Sequence, residues 1–220
     1  EPVLWQSTRT DAYQAALTEL ETKGLLFHCD CTRAMLGPNG SCNGRCAPRQ
    51  ASVTAPWALR IKVSANAVID FVDGIQGHCS YPLGRTIQDF VVQRKDGLPA
   101  YQLAAAVDDT YQNITHVVRG ADLLESTPRQ LLLMDQLDKP HPRYAHIPLL
   151  LGSDGHKLSK QNQAPTLSGT EATTNLRQAL AFLNQPSPPK KADAVSAIIE
   201  FAVEHWSRTR VVNPGAAPPG

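Results

Sequence analysis

The sequence predicts an α/β fold that carries a metal-stapled, β-rich insertion and ends in a short helical region. Three observations lead there. Segments with apolar residues at helical spacing alternate with short strand-like runs. Four of the five cysteines crowd between positions 29 and 46. A short apolar run, Pro148-Leu149-Leu150-Leu151, stops at the turn signal Ser153-Asp154-Gly155 and opens into a loop with two lysines.

At 220 residues the chain suits one large domain, or one domain with a small appendage. It is 42% hydrophobic and 19% charged, enough to bury a core and too apolar for a disordered chain. A net charge of +1 excludes a global basic field, so any nucleic-acid contact has to come from a local patch. No apolar run approaches the roughly 18 residues of a spanning helix, and no signal peptide is visible. The chain begins Glu1-Pro2, directly ahead of a strand-like Val3-Leu4-Trp5, which reads as the interior of a longer protein.

After that strand, Thr10-Asp11 offers an N-cap for a helix with Tyr13, Ala16, Leu17 and Leu20 on one face, stopped by Gly24. Next comes Cys29-x-Cys31-x10-Cys42-x3-Cys46, split by the loop Gly37-Pro38-Asn39-Gly40. Two close pairs of thiolates can wrap a tetrahedral zinc, a closed and therefore structural site. Disulfides are the alternative, but C-x-C is a poor disulfide and five cysteines leave one over. His28 is a neighbour that can replace a cysteine, and Cys79 reads as a lone buried thiol. Arg33, Arg45 and Arg49 form a small basic surface, suited to RNA or simply solvated.

Residues 51–99 turn to strands, Trp57 to Val63, Val68 to Val72 and Phe90 to Arg94, with a turn at Asp73-Gly74. A helix of small residues follows from Pro99 to Asp109. Then His116-Val117-Val118 reads as a continuous apolar strand ending in Arg119-Gly120. Ligands of open α/β sheets bind at the carboxyl ends of parallel strands, where an arginine can pair with a carboxylate or phosphate. Arg119 can equally neutralise Asp108, Asp109 or Asp122. Thr127-Pro128-Arg129-Gln130 reads as a capping box opening a helix with Leu131, Met134 and Leu137 on one face. In Gly155-His156-Lys157-Leu158-Ser159-Lys160-Gln161-Asn162, two ammonium groups flank a serine, an arrangement that can line a polyphosphate or be a solvated basic loop. Two further helices are expected, through Leu176, Ala179, Leu180 and Leu183, then through Val195, Ile198, Ile199, Ala202 and Trp206, joined by a proline-rich linker. Lys190, Lys191, Arg208 and Arg210 are read as surface cations.

Together these pieces resemble a known family. Lys157-Leu158-Ser159-Lys160-Gln161 resembles the K-[LM]-S-K-[SRQ] signature of class I aminoacyl-tRNA synthetases. The stretch from Tyr101 through Val118-Arg119-Gly120 and Thr127-Pro128 to that loop is similar to the catalytic core of the glutamyl branch. Gly120-Ala121-Asp122-Leu123, the loop sequence through Asn162, and an end fifty-nine residues past Gln161 resemble the bacterial glutamyl-queuosine tRNA(Asp) synthetases. The family's His-Ile-Gly-His-like motif is not found, so the chain is expected to be the second part of a catalytic domain and incomplete for catalysis by itself.

The resemblance implies a Rossmann-like nucleotide-binding core. Residues 1–26 would end its first half, 27–99 form the zinc and β-rich insertion, and 100–164 the second half. Residues 165–212 would be a helical region and 213–220 a disordered tail. It implies Lys160 and Lys157 as catalytic, with Lys157, Leu158, Ser159, Lys160 and Gln161 binding ATP, and Tyr101 and Arg119 binding glutamate. One structural zinc would be held by Cys29, Cys31, Cys42 and Cys46, with Cys42 where the family's usual set has a tyrosine. ATP with Mg2+, glutamate and queuosine-bearing tRNA(Asp) would be the partners of a cytoplasmic monomer. An ordinary glutamyl-tRNA synthetase fragment and a non-catalytic zinc-containing RNA-binding module are the alternatives.

Overall fold

The computed structural model describes residues 3–37, 39–152, 157–158 and 167–212. These separate into two compact units. One comprises the chain up to Phe71, His78–His116 and Glu125–Arg143; the other comprises Val72–Gly77, Val117–Leu124 and the chain from Tyr144 onward.

In the first unit, Val3, Leu4 and Trp5, expected as a strand, take no regular structure, and Gln6–Thr8 after them form a 3-10 turn. Helix α1 (Thr10–Thr22) buries Tyr13, Ala16, Leu17 and Leu20, the face read from the sequence. Its N-cap is Arg9 rather than Thr10. It ends in a Schellman motif: Gly24 N–H donates to Glu21, Leu25 N–H donates to Leu20, and Gly24 takes a φ of +70° that an L side chain resists. Strands β1 (Leu26–Cys29), β2 (Ala58–Ile61) and β5 (Phe90–Gln93) form a three-stranded sheet in the order β1-β2-β5, antiparallel at both pairings. Strands β3 (Val68–Asp73) and β4 (Gly77–Pro82) form a separate pair.

Helices α2 (Tyr101–Tyr111) and α3 (Thr127–Gln136) complete this unit's core, which is centred on Leu20, Leu103, Leu131, Leu133 and Met134. Buried Asp108 on α2 ties the start of the chain down, accepting from Arg9 Nε at 2.9 Å, Tyr13 Oη at 2.7 Å and Gln6 at 3.2 Å. Burial first, then that carboxylate, push the Tyr13 phenol up to about 12. The expected capping box is absent. Ser126 is the N-cap of α3 and makes no side-chain cap; its hydroxyl accepts from Gln102 instead, and Gln130 is fully buried. Cys79 is half-buried rather than sequestered.

In the second unit, β6 (His116–Gly120) and β7 (Arg143–Ile147) pair, each continuing from the first unit by its leading residue. The strand read at 116–118 is present, and Val118 on it is 69% exposed, since residues alternate across a strand and its face is left uncovered. Helices α4 (Ala172–Phe182) and α5 (Val195–Glu204) pack together, and Arg177 locks the linker between them by donating to the carbonyls of Pro188, Pro189 and Ala192. Trp206 lies beyond α5.

Candidate active site and metal centre

The metal centre grows from the end of β1. Alternation along the strand turns Phe27 and Cys29 inward, while His28, on the other face, packs at a tilt against Trp57 with ring centroids 3.9 Å apart. Cys31 and Cys46 Sγ lie 3.5 Å apart, Cys46 and Cys29 Sγ 3.6 Å, and all three sulfurs fall within 4.8 Å of one another. A disulfide needs about 2.05 Å, whereas thiolates around tetrahedral zinc at about 2.3 Å sit roughly 3.8 Å from each other. The spacing matches the second case, and all five cysteines are free.

Cys42 is fully buried in the same cluster but stands outside the group of three converging sulfurs. Burial pushes the Cys31 thiol up to about 11 and the Cys42 thiol up to about 12. Burial also works against ionising Cys29, but hydrogen bonds from Cys31 and Cys46 and the charge of Arg60 outweigh it and lower that thiol. Closely packed thiols that must lose protons to carry charge are what a divalent cation stabilises. These residues fit zinc.

A shell missed by sequence reasoning holds this knuckle. Asp89 accepts from the Ser41 hydroxyl and from the backbone N–H groups of Cys42 and Gly44, each at 3.1 Å for the backbone pair. Arg60, 2% exposed, donates to Asp89 at 2.9 Å and to the Gly40 carbonyl at 2.7 Å. Burial disfavours the Asp89 carboxylate, but these donors outweigh it and hold its pKa below the ordinary value. Outside the cluster, Arg49 donates to Cys46 Sγ at 3.2 Å and pairs with Asp30.

The second unit holds Arg119, which leaves the end of β6. Its Nε donates to His146 Nε2 at 3.0 Å, an Nη donates to the Leu123 carbonyl at 3.3 Å, and its guanidinium lies 5.3 Å from the Tyr144 ring centre. His146, on β7, is fully buried, and its Nδ1 lies 2.6 Å from Asp73 Oδ2. Asp73 Oδ1 accepts from the backbone N–H groups of Ile75, Gln76 and His146. Of the acids weighed as partners of Arg119, Asp108 is engaged by Arg9, and Asp122 pairs with Lys157 while also feeling the charge of Arg119.

That last pair anchors the lysine loop. Lys157 makes an antiparallel bridge with Leu151, and Leu158 N–H donates to the Leu150 carbonyl at 3.0 Å, so the chain doubles back here. The Lys157 ammonium then reaches Asp122, three residues beyond Arg119, and that hydrogen bond lowers the Asp122 carboxyl. Both partners are partly solvated, so the pair matters for position more than for stability. Gly120 leaves the room it needs: a Cβ there would run into Asp122 Oδ1 and approach Leu149 at 3.2 Å. Ser159, Lys160, Gln161 and the 213–220 tail lie outside the described residues. Tyr101 is the first residue of α2 in the first unit and is 51% exposed.

Comparison with known proteins gives a consistent result. Residues 42–183 match the family described as tRNA synthetases class I (E and Q), catalytic domain. A "Glutamyl-Q tRNA(Asp) synthetase" of Methylococcus capsulatus is 43% identical over all of this chain and 72% of its own length. One of Yersinia pseudotuberculosis is 40% identical over 99% of the chain, and one of Pseudomonas aeruginosa 43% identical over 97%. The chain spans 66% of the Yersinia protein's length and 73% of the Pseudomonas protein's. Among solved structures, a glutamate tRNA ligase of Elizabethkingia meningosepticum superposes with a TM-score of 0.70 over 98% of this chain and 52% of its own, at 22% identity, a likeness of fold. A glutamate-tRNA synthetase of Elizabethkingia anophelis superposes equally well, at 24% identity. By the family match over residues 42–183 and these relatives, the chain belongs to the catalytic-domain family of the class I glutamyl and glutaminyl tRNA synthetases.

Proposed function

We propose that the protein containing this chain activates glutamate with ATP and transfers it to queuosine in the anticodon of tRNA(Asp). The glutamate α-carboxylate attacks the α-phosphorus of ATP, the bond to the bridging oxygen breaks, and pyrophosphate leaves. A hydroxyl of the queuosine cyclopentene ring then attacks the acyl carbon of the adenylate, forming an ester and releasing AMP. The reaction runs in the cytoplasm on a monomer, with Mg2+ carried mainly by the phosphates.

Each residue has a role that its chemistry suits. Arg119 pairs with a glutamate carboxylate, and the Tyr101 hydroxyl orients the same substrate. Lys157 and Lys160 neutralise charge building on the phosphates, an effect worth roughly 3–4 kcal/mol when the donors are preorganised. Leu158, Ser159 and Gln161 complete the ATP contact. Cys29, Cys31, Cys46 and Cys42 hold one zinc, which stabilises the knuckle and takes no part in the chemistry.

The observation that carries the reading is the tie between two motifs. Asp122, just past Arg119, grips Lys157, so the first lysine of the motif is tied to the segment that follows the strand-end guanidinium. The relatives' shared name supplies the acceptor. Transfer of labelled glutamate is the test, using the full-length gene product and three acceptors: tRNA(Asp) with queuosine, tRNA(Asp) lacking it, and tRNA(Glu). Labelling of only the first is expected. Labelling of tRNA(Glu) would make this an ordinary glutamyl-tRNA synthetase.

A further inference from the structure

The chain of contacts behind Arg119 determines where one proton sits. A guanidinium Nε always carries hydrogen, so His146 Nε2, which receives it at 3.0 Å, must be the bare nitrogen. The ring proton therefore resides on Nδ1, where it is donated to Asp73 Oδ2 at 2.6 Å. The other carboxylate oxygen is committed elsewhere, since it accepts from three backbone N–H groups. The ring cannot swing, being fully buried and stacked against Tyr144 with centroids 5.9 Å apart.

We propose that Asp73 and His146 are positioning residues: Asp73 fixes the Nδ1–H tautomer of His146, whose bare Nε2 then holds the Arg119 guanidinium in its carboxylate-binding orientation. This rests on the reading of Arg119 as the cation that binds glutamate. It makes the acidic-substrate grip depend on a residue 46 positions before Arg119 in the chain, one that touches no substrate. The physical reason is that an arginine side chain has many rotamers, and a carboxylate fork is recognised only when the planar donors are aimed beforehand.

Asp73→Asn shows the logic most clearly. The amide oxygen has to stay where Oδ1 accepts three N–H groups, so its NH2 faces His146 Nδ1. Two donors cannot face each other, and the ring proton moves to Nε2, against Arg119. An isosteric change thus inverts the relay through the wrong tautomer.

Two measurements test this. In the chain labelled with 15N-histidine, with the His146 resonances identified by their loss in His146→Gln, Nδ1 should appear protonated and Nε2 bare at neutral pH. A protonated Nε2 overturns the proposal whatever the variants do. In the full-length gene product, Asp73→Asn and His146→Leu should raise the KM for glutamate about tenfold or more, the value of a hydrogen bond to a charged group. The KM for ATP should hold, and His146→Gln, whose amide oxygen can take the place of Nε2, should restore most of the affinity. Unchanged glutamate KM in Asp73→Asn and His146→Leu, alongside a raised KM in Arg119→Leu, overturns the positioning role. Unchanged KM in Arg119→Leu itself overturns the glutamate reading and this role with it, while a correct tautomer shows that the failure lies in the substrate and not in the relay.

Discussion

Asp73 Oδ2 and His146 Nδ1 lie 2.6 Å apart with both side chains wholly shielded from solvent, joining residues that are far apart in sequence. Burial alone would raise the Asp73 carboxyl. Hydrogen bonds from the His146 ring and from the N–H groups of Gln76, His146 and Ile75 outweigh it, so the folded pKa lies well below the ordinary carboxylate value. A depressed folded pKa contributes stability that is complete above the unfolded value of about 3.9 and fades as pH falls through the folded one. Asp73→Asn should therefore cost about 1.5–3 kcal/mol at pH 7, the value of a hydrogen bond to a charged group, since the neutral His146 is not left as an unpaired charge. In urea unfolding, the gap between variant and wild type should narrow below about pH 4. A gap independent of pH would show that the carboxylate charge is not what stabilises this turn.

Zinc binding should divide the cysteines. Cys46→Ser, at the centre of the three sulfurs, should abolish stoichiometric zinc, measured by metal analysis of the purified chain, and lower its melting temperature. Cys79→Ser should change neither. Cys42→Tyr should keep the metal, since a phenolate can serve where the family's usual set has one, while Cys42→Ala should weaken it. Because burial raises the Cys31 and Cys42 thiols to about 11 and 12, metal uptake has to release protons. Zinc affinity should accordingly fall as pH is lowered.

The knuckle's posture depends on Asp89 as much as on sulfur. Asp89→Ala strands the buried Arg60 and frees the Cys42 and Gly44 N–H groups, which should cost about 3–5 kcal/mol. Zinc affinity should drop roughly 10–100-fold, as when outer partners of metal ligands are lost. Replacing Arg60 and Asp89 together with Met and Leu should be less damaging than Asp89→Ala, because no unpaired charge then remains buried. Equilibrium unfolding of the three variants in excess zinc checks the order.

What could be read from the sequence was local. The face of α1 from Tyr13 to Leu20 and the Leu131–Met134–Leu137 stripe of α3 follow helical periodicity, and the cysteine spacing named the three sulfurs that converge, together with Cys42, which stands outside them. Asp73 was readable only as a turn residue. That is half of its role, since one oxygen caps the turn while the other reaches His146 through a pairing that no local pattern encodes. His146, in Arg-Tyr-Ala-His-Ile, looks like any strand histidine. The capping box at Thr127 was misread because helix α3 is buried around most of its circumference, which draws the Gln130 side chain inward. The exposure of Val118 was not legible, because an apolar residue type does not say whether its face of the strand is covered.

The proposed function stands or falls on the formation of glutamyl-adenylate by the strand-end guanidinium and the two lysines. Glutamate-dependent ATP–pyrophosphate exchange by the full-length gene product, without tRNA, measures it most directly. Exchange is expected with the wild type, with a loss of about a hundredfold or more in Lys160→Ala, whose folded spectrum should be unchanged. Undiminished exchange in Lys160→Ala, or none with glutamate in the wild type, would contradict it.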